Sequence, residues 1–289
     1  MKRGDEVQGV DIRENQWTEK IPARVADLSR MSPAEVGGDK KYDVVLHLAA
    51  FAKVFELVEH PERAMQNIQM TFATLDYCRR TETPIIFGSS REVYGDIHRH
   101  VTDEAAADFV VAESPYSASK ISGEAMIYAY AECYGLPFLV FRFSNVYGRY
   151  DCDLERMERV VPLFIRRIAA GEPIVLYGPE KVLDFTYVDD IAEGTVKALT
   201  PVGYQVINLG SDSPVVINDV IQLIEGLLEK TARREFEPSH PADVMATWAD
   251  IGKAEQLLCW QPRTTLADGV ANLVTWYRTN RDWAKNIQV

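Results

Sequence analysis

Nowhere in the 289 residues does an apolar run approach the roughly twenty residues needed to cross a bilayer. The opening Met1-Lys2-Arg3-Gly4-Asp5-Glu6 leads into no signal-peptide core, so the cytoplasm is the expected compartment. Cysteine is scarce: Cys78, Cys133, Cys152 and Cys259 contain no C-x-x-C pair and have no histidine at metal spacing. That excludes a disulfide framework and a cysteine zinc site, and leaves buried, inert thiols as the expectation. Basic charge is also in deficit, with 31 Lys and Arg against 43 Asp and Glu. The resulting net charge of -12 would repel a nucleic acid, so a polyanionic partner is not expected. No repeat, low-complexity tract or obvious linker interrupts the chain.

Short β-branched or apolar runs alternate with stretches of helical period, the pattern of an α/β protein with a doubly wound, Rossmann-type parallel sheet. Strands are expected over Val7 to Val10, Val44 to Leu48, Ile85 to Ser89, Pro137 to Phe143 and Val206 to Leu209. Helices are expected over Pro61 to Arg80, from Tyr116 to before Gly135, Glu155 to Ala170, Asp189 to Leu199 and Leu266 to Arg278. Beyond about residue 145, Pro162, Pro173, Pro179, Pro201 and Pro214 break the rhythm. The expected division is therefore 1–145 as the domain built on that sheet and 146–289 as a smaller lobe. Ligands in such sheets sit beyond the carboxyl ends of the strands, which directs attention to the residues that follow each strand.

Tyr116-Ser117-Ala118-Ser119-Lys120 places a tyrosine and a lysine on one helix face. A free tyrosine titrates near pH ~10, and a neighbouring ammonium would favour its phenolate and make it a usable base. Alone, a Y-x-x-x-K also arises by chance. Its company is Phe87-Gly88-Ser89-Ser90-Arg91-Glu92-Val93-Tyr94-Gly95, which follows a strand and would deliver the Ser90 hydroxyl and Glu92 carboxylate to the sheet edge. Ser90 reads equally well as a cap of the next element, and Glu92 as an ion-pair partner of Arg91. In Asp43-Val44-Val45-Leu46-His47-Leu48-Ala49-Ala50, a buried strand, His47 reads as a packed residue rather than a base. The small Ala49 and Ala50 at its end would admit a flat cofactor.

Taken in order, HLAA, SSREVYG, YSASK, RFSNVYG, LDFTYVDD, INLGS and ADIGKAEQLLCWQP resemble the extended short-chain dehydrogenases that act on nucleotide sugars. The likeness runs from about Gly4 to Trp276. It implies NAD as cofactor, a nucleotide-sugar substrate, and Tyr116, Lys120 and Ser90 as the catalytic group, with Tyr116 taking the C4 hydroxyl proton. It implies further that 1–145 binds the dinucleotide, with 184–210 returning to it, and that 146–289 binds the substrate. The resemblance assigns cofactor contacts to Asp11, Asp27, Leu28, Leu48, Ala49, Ala50, Asn67, Ser89, Ser144 and Val146, besides Tyr116 and Lys120. It assigns substrate contacts to Ser90, Arg91 and Asn145. An acidic Asp11 suits a free ribose better than a phosphorylated one, although Asp11 also reads as a loop cap. A homodimer is implied as well, built on the helices of Pro61 to Arg80 and Tyr116 to Tyr134. Met65, Ile68, Phe72, Ala125, Met126 and Tyr128 would form its face, or else turn towards their own sheet.

The chain departs from the family pattern at several points. The family opens on a strand, a glycine-rich turn and a helix that holds the pyrophosphate, and by that pattern roughly twenty-five residues are missing before Gly4. Either a natural N-terminus is omitted or the protein is a shortened, non-catalytic homologue, and sheet edges should be exposed. Glu92 keeps a 4,6-dehydratase or a decarboxylase open beside the leading expectation, a 4-epimerase working through a 4-keto intermediate. Leu183 and Met245 stand where arginines are common in the family; Arg149, Arg156, Arg159 or Lys181 could supply the lost charge for a diphosphate, and read equally well as solvated surface charges. No metal is expected.

Overall fold

The computed structural model describes residues 4–16, 18–38, 40–95, 104, 112–151, 159–199, 203–238, 244–280, 282 and 284. The described residues pack as two compact units: those within 1–89, 114–140 and 203–205, and those within 90–113, 141–202 and 206–289.

In the first unit the order is β1 (Gly9–Asp11), β2 (Ala23–Val25), α1 (Pro33–Gly37), β3 (Val45–His47), α2 (Val54–Glu59), α3 (Glu62–Thr81), β4 (Ile85–Ser90), α4 (Pro115–Tyr134) and β5 (Phe138–Phe143), the last residues of β4 and β5 passing into the second unit. β1 runs parallel to β2 with Gly9 opposite Ala23, and β3 runs parallel to β4 with Val45 opposite Ile85. β4 lies between β3 and β5, and its Ile85, Ile86 and Phe87 are buried, as a parallel strand covered on both faces requires. β3 is the outer strand of this sheet. The sequence suggests a buried strand there, but with β4 on one side only, Leu46 is 41% and Leu48 51% exposed.

α4 begins where its sequence is built to begin a helix. Ser114 and Ser117 cap one another reciprocally, each hydroxyl accepting from the other's backbone N–H, and Pro115 occupies the first turn. It ends at Gly135 with φ of 64°, a left-handed turn that glycine enters without strain. Gly123 lets the helix press onto β4: a Cβ there would stand 2.7 Å from Phe87 Cζ. That close approach seats Tyr116 and Lys120 over the strand.

The second unit continues with β6 (Val146–Tyr147), α5 (Val160–Ala170), β7 (Pro173–Tyr177), β8 (Val182–Leu183), β9 (Thr186–Tyr187), α6 (Val188–Lys197), β10 (Gln205–Leu209), β11 (Val215–Val216), α7 (Ile217–Leu228), β12 (Arg233–Glu237), α8 (Gly252–Leu258) and α9 (Leu266–Thr279). Here β10 lies beside the end of β5, and β6 runs parallel to β9. Ile165 and Ile168 of α5, Ile174 of β7, Val220, Ile221 and Ile224 of α7, and Val270 and Leu273 of α9 are sealed from solvent in one core. This half is more regular than its prolines suggest. Pro162 falls in the first turn of α5, where no intrahelical acceptor awaits its missing N–H, and Pro173 opens a strand.

Of the thiols, Cys78 is buried and burial pushes it up to about 12, as an inert thiol should be. Cys133 and Cys259 are exposed, against expectation, because each sits at the solvent-facing end of its helix. Cys152 lies outside the described residues. Among the described residues no helix is long and apolar enough to cross a membrane, and no cluster of acidic, histidine or cysteine side chains is disposed to hold a metal ion.

Candidate active site

Tyr116 and Lys120 lie one turn apart on α4, and both are buried. The Lys120 Nζ donates to the Gly88 carbonyl at 2.7 Å, lies 5.0 Å from the centre of the Phe87 ring and 5.7 Å from that of Tyr116. A buried ammonium beside a phenol is the arrangement that stabilises a phenolate. Burial lowers the lysine to about 8, and the carboxylate of Glu124, a further turn along, opposes that fall. Glu124 is itself buried and accepts from the Ser89 hydroxyl at 2.5 Å. His47 is 3% exposed, and burial first, then the Lys120 charge, push it down to about 3. It stays neutral, 3.3 Å from the Thr71 hydroxyl, in the packed role the sequence suggests.

The other residues assigned to the cofactor in this unit divide by what they already hold. Asn67 donates both amide hydrogens, to Phe51 O at 3.0 Å and Ser119 Oγ at 3.1 Å, and accepts from Phe51 N at 2.8 Å. It clamps the segment after β3 between α3 and α4. Asp27 caps the turn over Leu28–Arg30 by accepting from Ser29, and Leu28 is buried beneath that turn. Asp11 stands exposed at the end of β1, with Oδ1 accepting from Arg13 N at 3.0 Å. Leu48 is exposed, and Ala49 and Ala50 are half-buried at the end of β3.

In the second unit Ser90 accepts from Glu92 N at 3.2 Å, which makes it the cap of the turn over Arg91–Tyr94 and leaves its hydroxyl hydrogen to donate. The Arg91 guanidinium spends Nη2 on the Glu92 carboxylate at 3.0 Å and Nε on Asn145 Oδ1 at 3.2 Å. Among the described residues its Nη1 is buried without a partner, at the wall of a small cavity shared with Tyr94, Arg142, Ser144, Asn208 and Thr247. Asn145 adopts a left-handed φ of 21° and donates to Asp184 O and Thr247 Oγ1, and Ser144 donates to the same Asp184 carbonyl. Asp184, fully buried in the link between β8 and β9, accepts from Ser211 N, Ser211 Oγ and Ala249 N, and thereby ties the segments of Ser211 and Ala249 to that link. The Val146 carbonyl accepts from Arg159, and Arg149 pairs with Asp189 at 2.7 Å on the surface. Lys181 is half-buried between β7 and β8. Arg156 lies outside the described residues. The sequence reading misses Glu124, Thr247 and the Asp184 hub. Glu124 carries a usable signal, since 116, 120 and 124 follow one another at helical spacing on a single face.

The model of the NAD dependent epimerase/dehydratase family matches residues 1–210. The chain belongs to that family. A UDP-glucuronate 4-epimerase of Thermodesulfobacterium geofontis is 36% identical over 252 residues, covering 85% of this chain and 75% of the relative. A UDP-glucose 4-epimerase of Thermotoga maritima, solved with UDP-glucose, superposes with a TM-score of 0.87 at 26% identity, over 96% of this chain and 92% of the other. A UDP-glucuronic acid 4-epimerase of Bacillus cereus, solved with UDP-glucuronic acid and NAD, gives 0.82 at 27% identity, over 95% and 91%. The fold is accordingly the Rossmann-type α/β fold of UDP-sugar epimerases, and the enzyme class is NAD-dependent.

The donor set in the first unit fits NAD at two of its parts. The buried Lys120 ammonium suits the nicotinamide ribose, and Asp11, exposed at a strand's carboxyl end, suits the adenosine ribose. No glycine-rich turn into a helix N-terminus, the usual seat of a pyrophosphate, occurs among the described residues.

Proposed function

We propose that the protein interconverts UDP-sugars at C4, with UDP-glucuronate the first substrate to try. The observation that carries the reading is the seating of Lys120 against Tyr116 and Gly88. Forming a phenolate at pH 7 from a tyrosine of pKa ~10 costs about 4 kcal/mol, and an ammonium in the same dry pocket offsets part of that cost. Tyr116 then takes the C4 hydroxyl proton and later returns it. In the second unit, the Ser90 hydroxyl accepts from Glu92 N and keeps its hydrogen to donate. When bound, NAD supplies reversible hydride exchange at C4, and re-addition to the opposite face inverts the centre. The unpartnered Arg91 Nη1 offers a charge-assisted contact to an anionic oxygen of the substrate, and Asn145 and Glu92 hold that arginine in place. A Glu92 engaged by Arg91 serves dehydration poorly, because the carboxylate would have to leave its partner to remove a C5 proton. The protein also assembles as a homodimer in this reading: Met65 and Phe72 of α3 and Ala125 and Tyr128 of α4 are exposed, while Ile68 and Met126 are half-buried beside them.

The test begins with NAD released on heat denaturation, followed by incubation with UDP-glucuronate and product mass. A 4-epimer of unchanged mass supports the reading, and loss of water or of carbon dioxide replaces it with dehydration or decarboxylation. Tyr116→Phe should lower turnover by about 10²-fold or more while nucleotide binding persists. Unchanged turnover in that variant sinks the assignment.

A further inference from the structure

We propose that Glu124 is a positioning residue, held by Ser89, whose buried carboxylate keeps Lys120 cationic and seated beneath Tyr116. This rests on the reading of Tyr116 and Lys120 as the catalytic pair. An ammonium withdrawn from water loses several kcal/mol of hydration and persists only if something nearby compensates. The Gly88 carbonyl supplies one hydrogen bond and the Phe87 ring a cation–π contact, but both are neutral. Among the described residues, the titratable groups that face Lys120 are Tyr116 and Glu124 on α4 and His47 on β3. His47 is held neutral, and a neutral phenol contributes no charge. Glu124, one turn beyond Lys120 on the same face of α4, is therefore the charged partner among the described residues that opposes the desolvation of Lys120, and the direction of its influence is upward, against burial.

Ser89 completes the device. Its hydroxyl donates to Glu124 Oε1 at 2.5 Å, and both residues are buried. The carboxylate is thus aimed by β4, the strand whose Gly88 carbonyl holds the ammonium. Adjacent residues of one strand orient both members of the charge pair, so the register of α4 on β4 sets the geometry of the base. A solvated surface glutamate, the ordinary role of a helical Glu, would have neither the burial nor the serine.

The test reads the charge of Lys120 directly. In protein labelled with ¹³C at lysine Cε, the Lys120 signal, identified by its loss in Lys120→Met, is followed from pH 5 to 10. In the parent the midpoint should lie at about 8. Glu124→Gln keeps the shape and an acceptor for Ser89 but removes the charge, and the midpoint should fall by roughly one unit or more. At pH 8 the cationic fraction would drop from about one half to about one tenth, so kcat should fall roughly fivefold, its alkaline limb moving to lower pH with little change in KM. Glu124→Asp should restore part of both. If Glu124→Gln does not fold, Ser89→Ala carries the same test, with a smaller shift in the same direction. An unmoved Lys120 midpoint in a folded variant overturns the proposal. A shifted midpoint together with full turnover in Tyr116→Phe would leave Glu124 in its role and remove the catalytic reading instead.

Discussion

Asp184 offers the sharpest test of how the second unit is held. Its carboxylate is inaccessible to solvent and receives three hydrogen bonds: Ser211 N at 2.8 Å, Ser211 Oγ at 2.5 Å and Ala249 N at 3.1 Å. Asp184→Ala would bury those donors unpaired. At roughly 1–3 kcal/mol for each orphaned buried group, and with the serine hydroxyl free to rotate away, a loss of about 3–5 kcal/mol is expected. That is a large share of the stability of an ordinary domain. Asp184→Asn should lose less, about 1–3 kcal/mol, because its carbonyl still accepts from Ser211 while its amide meets the Ala249 N–H donor to donor. The pH dependence has a definite sign. Burial raises the Asp184 carboxyl above its ordinary value near 3.8, so its favourable contribution is complete below that value and is lost as pH rises through the folded-state value. Asparagine does not titrate, so the gap between parent and Asp184→Asn should widen as pH falls. Urea unfolding at pH 7 and at successively lower pH measures both effects, with midpoint and slope compared. An Asp184→Ala variant within 1 kcal/mol of the parent would refute the hub as described.

Two further outcomes are expected. Gly123→Ala gains about 1 kcal/mol of helix propensity but drives a methyl to 2.7 Å from Phe87, and an overpacking cost of about 1–3 kcal/mol should outweigh the gain. Thermal melting would show a lowered midpoint, and a raised one would mean that α4 stands off β4. Replacing exposed Phe72 and Tyr128 together by Asp should halve the mass seen by light scattering without lowering the melting temperature of the monomer; an unchanged mass would remove the α3 and α4 faces from any dimer.

How far the sequence could be read depended on whether a feature was local. β4 was plain because Ile85, Ile86 and Phe87 form a continuous apolar run closed by Gly88 and two serines. α4 was plain because Pro115 and Gly135 mark its ends and Tyr116 and Lys120 share its face. The family motifs, read in order, led to the family that the comparisons found. Asn67, assigned to the cofactor, turns out to spend its amide hydrogens on Phe51 and Ser119, partners 16 and 52 residues away that no pattern pairs with it. The Asp184 network was hidden for the same reason: Ser211 and Ala249 lie 27 and 65 residues further on. α7 lies outside the expected helices, yet its signal is local too: Ile217, Val220, Ile221 and Ile224 repeat at helical spacing. The exposure of β3 could not be seen because apolar content reports what a strand is suited to, not which neighbours it has.

That exposure has a practical consequence. β3 offers solvent an outer strand with Leu46 and Leu48 uncovered, and the described residues place no proline there to blunt it. An apolar strand with a free edge templates pairing with another copy in the folded state, and it does so without any unfolding step. Turbidity of this protein should therefore climb with concentration at temperatures well below its melting point. A single lysine at position 46 should suppress that rise while leaving the α4 face untouched.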